Sequence, residues 1–246
     1  LENFRLLATS GQGLTGGVSP VQALWTSVQI GLQATVIALV IGIPAAIVLS
    51  RRTRGAVRTG QRLLDGLVML PLGVSAVTVG FGFFISLRNM LPNEVMVPLV
   101  QAVIALPLVV RSLVPVLRAI NPRLREAAAT LGASPLRVLL TVDGPFMVRG
   151  LGLATGFAFA ISLGEFGATS FLATADRTTL PVLIAKLLGR PGADNYGMAM
   201  AASLILAIVT AGVMALCESS AKTQDVAAPA TPSPMAQTLR VSPRPT

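Results

Sequence analysis

With 246 residues, 53% of them hydrophobic and 12% charged, and a mean hydropathy of +0.75, the chain carries about half the charge of a soluble domain and reads as an all-α integral membrane protein. A single cysteine, Cys217, and the absence of histidine exclude a disulfide framework and a cysteine- or histidine-based metal site, and they leave hydrolytic chemistry poorly supplied. The formal charge of +9 would suit nucleic acid, but the basic residues gather in loops between apolar runs, the pattern left by membrane orientation; no nucleic-acid partner is expected.

Residues 1–20 are polar and glycine-rich and read as an external loop; the start at Leu1, without a signal segment, suits a piece of a longer polypeptide. A first span is expected over 21–49, with Gly42 and Pro44 inside it, as bundled membrane helices tolerate. Arg51, Arg52, Arg54, Arg58 and Arg62 follow and place that loop in the cytoplasm. Second and third spans are expected over 63–87 and 95–117, joined by a short outer turn, with Pro71 and Pro107 inside them. Arg118, Arg123, Arg125, Arg137 and Arg149 then mark a second cytoplasmic loop. A fourth span over 146–170, an external segment over 171–197 and a fifth span over 198–217 complete the alternation, with the N-terminus outside and the C-terminus inside.

Within the external segment, Thr179–Leu188 has a candidate N-cap in Thr179, Pro181 in its first turn and Gly189 at its end, so a short helix is expected there. Gly152 and Gly156 make a small-xxx-small pair, suited to close helix contact or incidental in an apolar span. Residues 218–246, rich in Ala, Pro, Ser and Thr, are expected to form a disordered cytoplasmic tail.

The informative stretch is 121–145, NPRLREAAATLGASPLRVLLTVDGP, too polar to span and too helix-prone for a linker. A helix over 124–131, a break at Gly132, and a second helix capped by Ser134, started by Pro135 and running to Leu140 are expected on the cytoplasmic face. Ala127, Ala128 and Ala129 would let a partner's backbone approach, while Arg125 and Glu126 would offer directional charge. An interfacial helix lying on lipid would explain the leucines and arginines, but neither the alanine face nor the glycine turn.

This stretch resembles the signature of the permease subunits of binding-protein-dependent ABC importers of the type I fold: Glu-Ala-Ala, three residues, Gly, nine residues, then Ile-x-Leu-Pro. Glu126, Ala127, Ala128 and Gly132 match, Val142 takes the Ile place and Pro145 the Pro place, while Gly144 departs from the usual Leu. The resemblance covers about 21–217. It implies a permease core of five or more transmembrane helices, multi-pass in a bacterial inner membrane, with 121–145 as the coupling helix seated in a separate ATPase subunit. Arg125, Glu126, Ala127, Ala128, Gly132 and Pro145 would carry that contact. It further implies a second permease half, fused or separate, and an external solute-binding protein. No cofactor or metal is expected on the chain itself, because it lacks a Walker A loop; ATP and magnesium would sit on the partner.

SLGEFGAT, residues 162–169, followed by TTLPVLIAKLLGR, is similar to permeases for thiamine, iron(III), molybdate and sulfate. It looks most like the iron(III) and thiamine permeases with fused halves, of which this chain would be the C-terminal half; the resemblance implies iron(III) or thiamine as cargo ahead of molybdate, sulfate or polyamine. Glu165, with Ser162 and Thr169, is a candidate for the translocation path or outer gate. The alternative is an interfacial glutamate reaching water or pairing with a residue such as Arg177. Arg111 reads as a snorkelling arginine. The rival classes are a lipid-modifying membrane enzyme, whose acids Asp65, Asp143 and Glu165 are scattered, and an ATP-independent secondary transporter, which would leave the 121–145 loop without a purpose.

Overall fold

The computed structural model describes residue 7 and residues 18–51, 56–174 and 177–226. The rest of the N-terminal loop up to residue 17, Arg52, Arg54 and the tail beyond 226 lie outside the described residues. Among the described residues every regular element is a helix, and there is no strand. Helix α1 (Pro20–Ser50) starts at a capping box: the Ser19 hydroxyl accepts the Gln22 N–H at 3.3 Å and the Gln22 side-chain Oε1 accepts the Ser19 N–H at 3.2 Å. Helix α4 (Asn93–Ala119) crosses beside it, close to the expected third span.

The centre is a layer of small side chains. Ala34, Ala38 and Ala46 of α1 meet Ala102, Ala105, Val109 and Leu113 of α4 and Ala154 and Ala158 of α7 (Gly144–Gly164). In lipid, where tails are as apolar as leucine, helices associate through such close packing. Gly42 marks how close: a Cβ there would stand 2.6 Å from Val109 Cγ1. Gly152 and Gly156 face Cys217 of the last helix, α10 (Ala193–Val226), with a Cβ on Gly156 only 2.8 Å from the Cys217 Cβ, so the pair does serve helix contact.

Three expected spans change shape. The second is broken into α2 (Ala56–Gly73) and α3 (Ala76–Leu87), bent by 104°. Pro71 removes a helical N–H, and Gly73 and the extended Ser75 leave nothing to carry the helix through. The fourth stops at Gly164 instead of running to 170, and the chain re-forms one turn, α8 (Thr169–Leu172). The fifth begins at Ala193 and stays helical to Val226, so residues 218–226 of the expected disordered tail are helix. Among the described residues three helices are long and apolar enough to cross a membrane, or up to five if each bent pair is one span.

The short helix α9 (Leu180–Leu188) forms as expected and packs Leu180, Leu183 and Leu187 against Ala23 of α1 and Met198, Ala199 and Ala202 of α10. Its cap is supplied differently. Thr179 holds the N-cap backbone position without bonding through its side chain, and the Leu180 N–H donates instead to the Ser27 hydroxyl of α1 at 2.7 Å, a bond buried between elements 153 residues apart.

Candidate functional site

Local rules build the 121–145 loop. Asn121 caps α5 (Pro122–Thr130), its side chain accepting the Arg123 N–H at 3.0 Å, and Pro122 takes the first helical position. The helix ends in a Schellman turn, in which the Gly132 N–H donates to Ala129 O and the Ala133 N–H to Ala128 O, each at 3.0 Å. Gly132 has φ +80° and open space around it, so backbone conformation alone demands glycine there. The Ser134 hydroxyl accepts the Arg137 N–H at 3.4 Å and opens α6 (Pro135–Val138). A wide π-helical turn, Leu139–Asp143, then leads into α7.

This helix pair stands clear of the bundle. No residue of α5 or α6 is buried; Glu126, Ala127 and Pro145 are exposed and Ala128 is half-buried. Leu131 is 86% exposed, and Leu124, Leu136 and Leu140 are open as well. Such leucines on a helix-turn-helix that buries nothing of its own form an apolar face lacking a partner.

Arg125 is tied to the bundle. Its Nε donates to Asp143 Oδ1 at 2.7 Å, and its Nη2 donates to Leu117 O at 3.2 Å. The charge faces inward and ties α5 to the end of α4 and to the π turn, while Glu126 alone of the two remains outward. Asp143 is 5% exposed, so the pair is held largely out of water. Sequence reasoning weighed Asp143 only as one of three scattered acids; a pairing across 18 residues, through a π turn, leaves no periodic signal. Beneath the pair lies a cavity of about 520 Å³ that includes Ser50, Arg118, Ile120 and Ala133 among its walls.

At the opposite end of α7, Glu165 is a brace. Its two carboxylate oxygens accept the Ala168 N–H and the Thr169 N–H, each at 2.9 Å, and the Thr169 hydroxyl at 2.7 Å. Gln101 of α4 donates to that hydroxyl at 3.0 Å. The Ala168 and Thr169 N–H groups, left without helical partners by the stop at Gly164, are thereby satisfied inside the protein, as a membrane interior requires. Glu165 and Thr169 are brought together and buried; Ser162 is buried beside them, 3.7 Å from where a Gly31 Cβ would stand. The alternative pairing of Glu165 with Arg177 is corrected: Arg177 pairs with Glu94 at 3.2 Å, on the exposed outer surface. Gly80 of α3 rests on this brace, since a Cβ there would stand 2.4 Å from Ala168 Cα. Two of the three acids a membrane enzyme would need stay apart: Asp143 and Glu165 flank opposite ends of α7, roughly 30 Å apart at 1.5 Å per residue.

No protein-family model matches the chain. It is similar to the molybdenum transport system permease protein ModB of Escherichia coli strain K12, with 30% identity over 189 residues covering 70% of this chain and 82% of that protein. The ModB of Mycobacterium bovis is 33% identical over 207 residues, 78% of this chain and 76% of that protein. The thiamine transport system permease protein ThiP of Brucella abortus is 30% identical over 81% of this chain, which spans 36% of that longer protein. Among solved structures, the inward-facing MetNI methionine ABC transporter superposes with a TM-score of 0.67 at 18% identity, over 83% of this chain and 95% of that one. An amino acid ABC transporter gives 0.62 at 16% identity, over 83% and 93%. These two likenesses are of fold.

Proposed function

Because this chain belongs to the permease family of ABC importers, a multi-pass membrane family, we propose that its bundle forms half of a translocation path and that α5, the Gly132 turn and α6 dock on a separate ATP-binding subunit. The observation that carries the reading is the helix pair that buries nothing of its own, presents Leu131 at 86% exposure, and is anchored to the bundle through Arg125 and Asp143. Glu126, Ala127, Ala128 and Gly132 provide the contact, and Pro145 starts the lever, α7, that receives the motion. ATP and magnesium bind to the partner, whose closure moves the helix pair as a rigid body. A second permease half completes the path, and an external solute-binding protein delivers the cargo. The arginine asymmetry supports cytoplasmic placement of the 51–62 and 121–145 loops, with the N-terminus outside and the C-terminus inside.

For the cargo, relatives named for molybdenum are matched over most of their length, which favours a small oxyanion such as molybdate over the iron(III) or thiamine of the sequence reading. The ThiP similarity over 81% of this chain supports thiamine as the second reading.

The test is reconstitution with the adjacent ATPase subunit and binding protein. Leu131→Asp should abolish co-purification of the ATPase subunit, and Glu126→Lys should lower uptake per ATP hydrolysed at least tenfold. Wild-type uptake and assembly in both variants would overturn the docking assignment. Uptake of labelled molybdate against labelled thiamine decides the cargo.

A further inference from the structure

On the arginine-rich side of the bundle, two hydrogen bonds from one side chain lash α2 to α1: Gln61 Nε2 donates to Val48 O at 2.6 Å and to Arg51 O at 3.0 Å. Arg118 of α4 donates to Leu49 O at 3.0 Å from the other side. Between them opens a cavity of about 460 Å³ whose charged lining is Arg51, Arg58, Arg62 and Arg118 against one acid, Asp65. Among the described residues none of these four arginines has a carboxylate within ion-pair distance, Asp65 included. A second cavity of about 310 Å³ shares Leu49, Asp65 and Arg118 with the first. Its remaining walls are Met69, Val110, Val114 and Pro115, with Arg111 beside them. Through these shared walls a cationic mouth adjoins a slot between α2 and α4 that is apolar on the side of Met69, Val114 and Pro115.

We propose that this mouth and slot form a binding site for one anionic phospholipid, its phosphodiester held by Arg58, Arg62 and Arg118 and an acyl chain laid along Met69, Val114 and Pro115. Charge complementarity selects the occupant. Planar guanidinium groups grip phosphate oxygens through paired hydrogen bonds, and arginines at the level of the headgroups attract acidic lipid. A free oxyanion would engage the mouth and leave the slot unused; a zwitterionic lipid would bring its own cation into a site already cationic. Only an amphiphile with a net negative head satisfies both cavities. The site clasps α2 to α1 and α4 on the side of the bundle that carries the α5 and α6 pair, and it stands independently of the cargo and docking readings.

The experiment exchanges the purified full-length chain into an equimolar mixture of phosphatidylglycerol and phosphatidylcholine and measures the lipid retained by native mass spectrometry. Phosphatidylglycerol should be enriched, and the double variant Arg58→Gln/Arg62→Gln should retain it roughly 20- to 30-fold less strongly, on the contribution of two arginines near an acidic surface. Both residues are exposed and unpaired among the described residues, so the variant should keep its wild-type thermal melt. Val114→Trp, which plugs the slot, should weaken retention as well. Enrichment unchanged in the double variant would overturn the proposal. So would displacement of the lipid by inorganic phosphate combined with wild-type retention in Val114→Trp, which would assign the mouth to a free anion.

Discussion

Truncating Asp143 to alanine isolates the contact that orients the exposed helix pair. Because α5 buries no side chain, its angle to the bundle depends on the Arg125 hydrogen bonds to Asp143 and Leu117 O together with the short turn at Asn121. Breaking a fully buried ion pair from one side costs about 3–5 kcal/mol. The Arg125 side chain keeps 29% of its surface exposed against 7% for Asp143, so water recovers part of that, leaving about 2 kcal/mol. That corresponds to about 30-fold in the equilibrium between the held and released orientations of α5. Asp143→Ala should therefore lower substrate uptake per ATP hydrolysed by about tenfold or more in proteoliposomes, with the ATPase subunit still bound through Leu131 and Glu126. Asp143→Asn, which keeps an oxygen acceptor, should lose only several-fold, and the swap Arg125→Asp/Asp143→Arg should regain part of the coupling. Wild-type coupling in Asp143→Ala, measured as the ratio of uptake to phosphate release, would refute the strut.

Two further substitutions probe the outer brace. Glu165→Gln removes one of the acceptors serving the Ala168 and Thr169 N–H groups and the Thr169 hydroxyl, at a cost of about 1–3 kcal/mol, and should lower the thermal midpoint in detergent. An unchanged midpoint with abolished uptake would instead put Glu165 on the translocation path. Gly80→Val should block the seat of α3 on Ala168, where a Cβ would stand 2.4 Å from backbone, and sharply reduce folded yield; Gly82→Ala, with nothing within 4 Å, is the matched control. Equal yields from the two would contradict the close approach.

The parts of this protein legible in the sequence are those set by local chemistry. Runs of apolar residues long enough for a bilayer locate α1 and α4 to within a few residues, because a lipid-exposed backbone has few ways to bond except as a helix. Asn121, Pro122, Gly132, Ser134 and Pro135 lie within a few residues of the groups they cap or turn, so the helix, turn and second helix of 121–145 follow from spacing. Ser19 and Gln22 carry a capping-box signal of the same local kind. Packing decided the rest. The bend at Gly73–Ser75 is permitted by Pro71 and Gly73 but given its place by the contact of Gly80 with Ala168, far along the chain. Glu165 could be singled out as a carboxylate in an apolar segment, yet only the fold shows its oxygens turned onto Ala168 and Thr169, with Gln101 arriving from α4. Arg125 looked like an outward charge from its neighbours and is an inward strut because the π turn carries Asp143 beneath it. Hydrophobicity and capping act over single turns and are written in the sequence itself; the partners of buried charges are chosen by which segments the tertiary structure brings within hydrogen-bond reach.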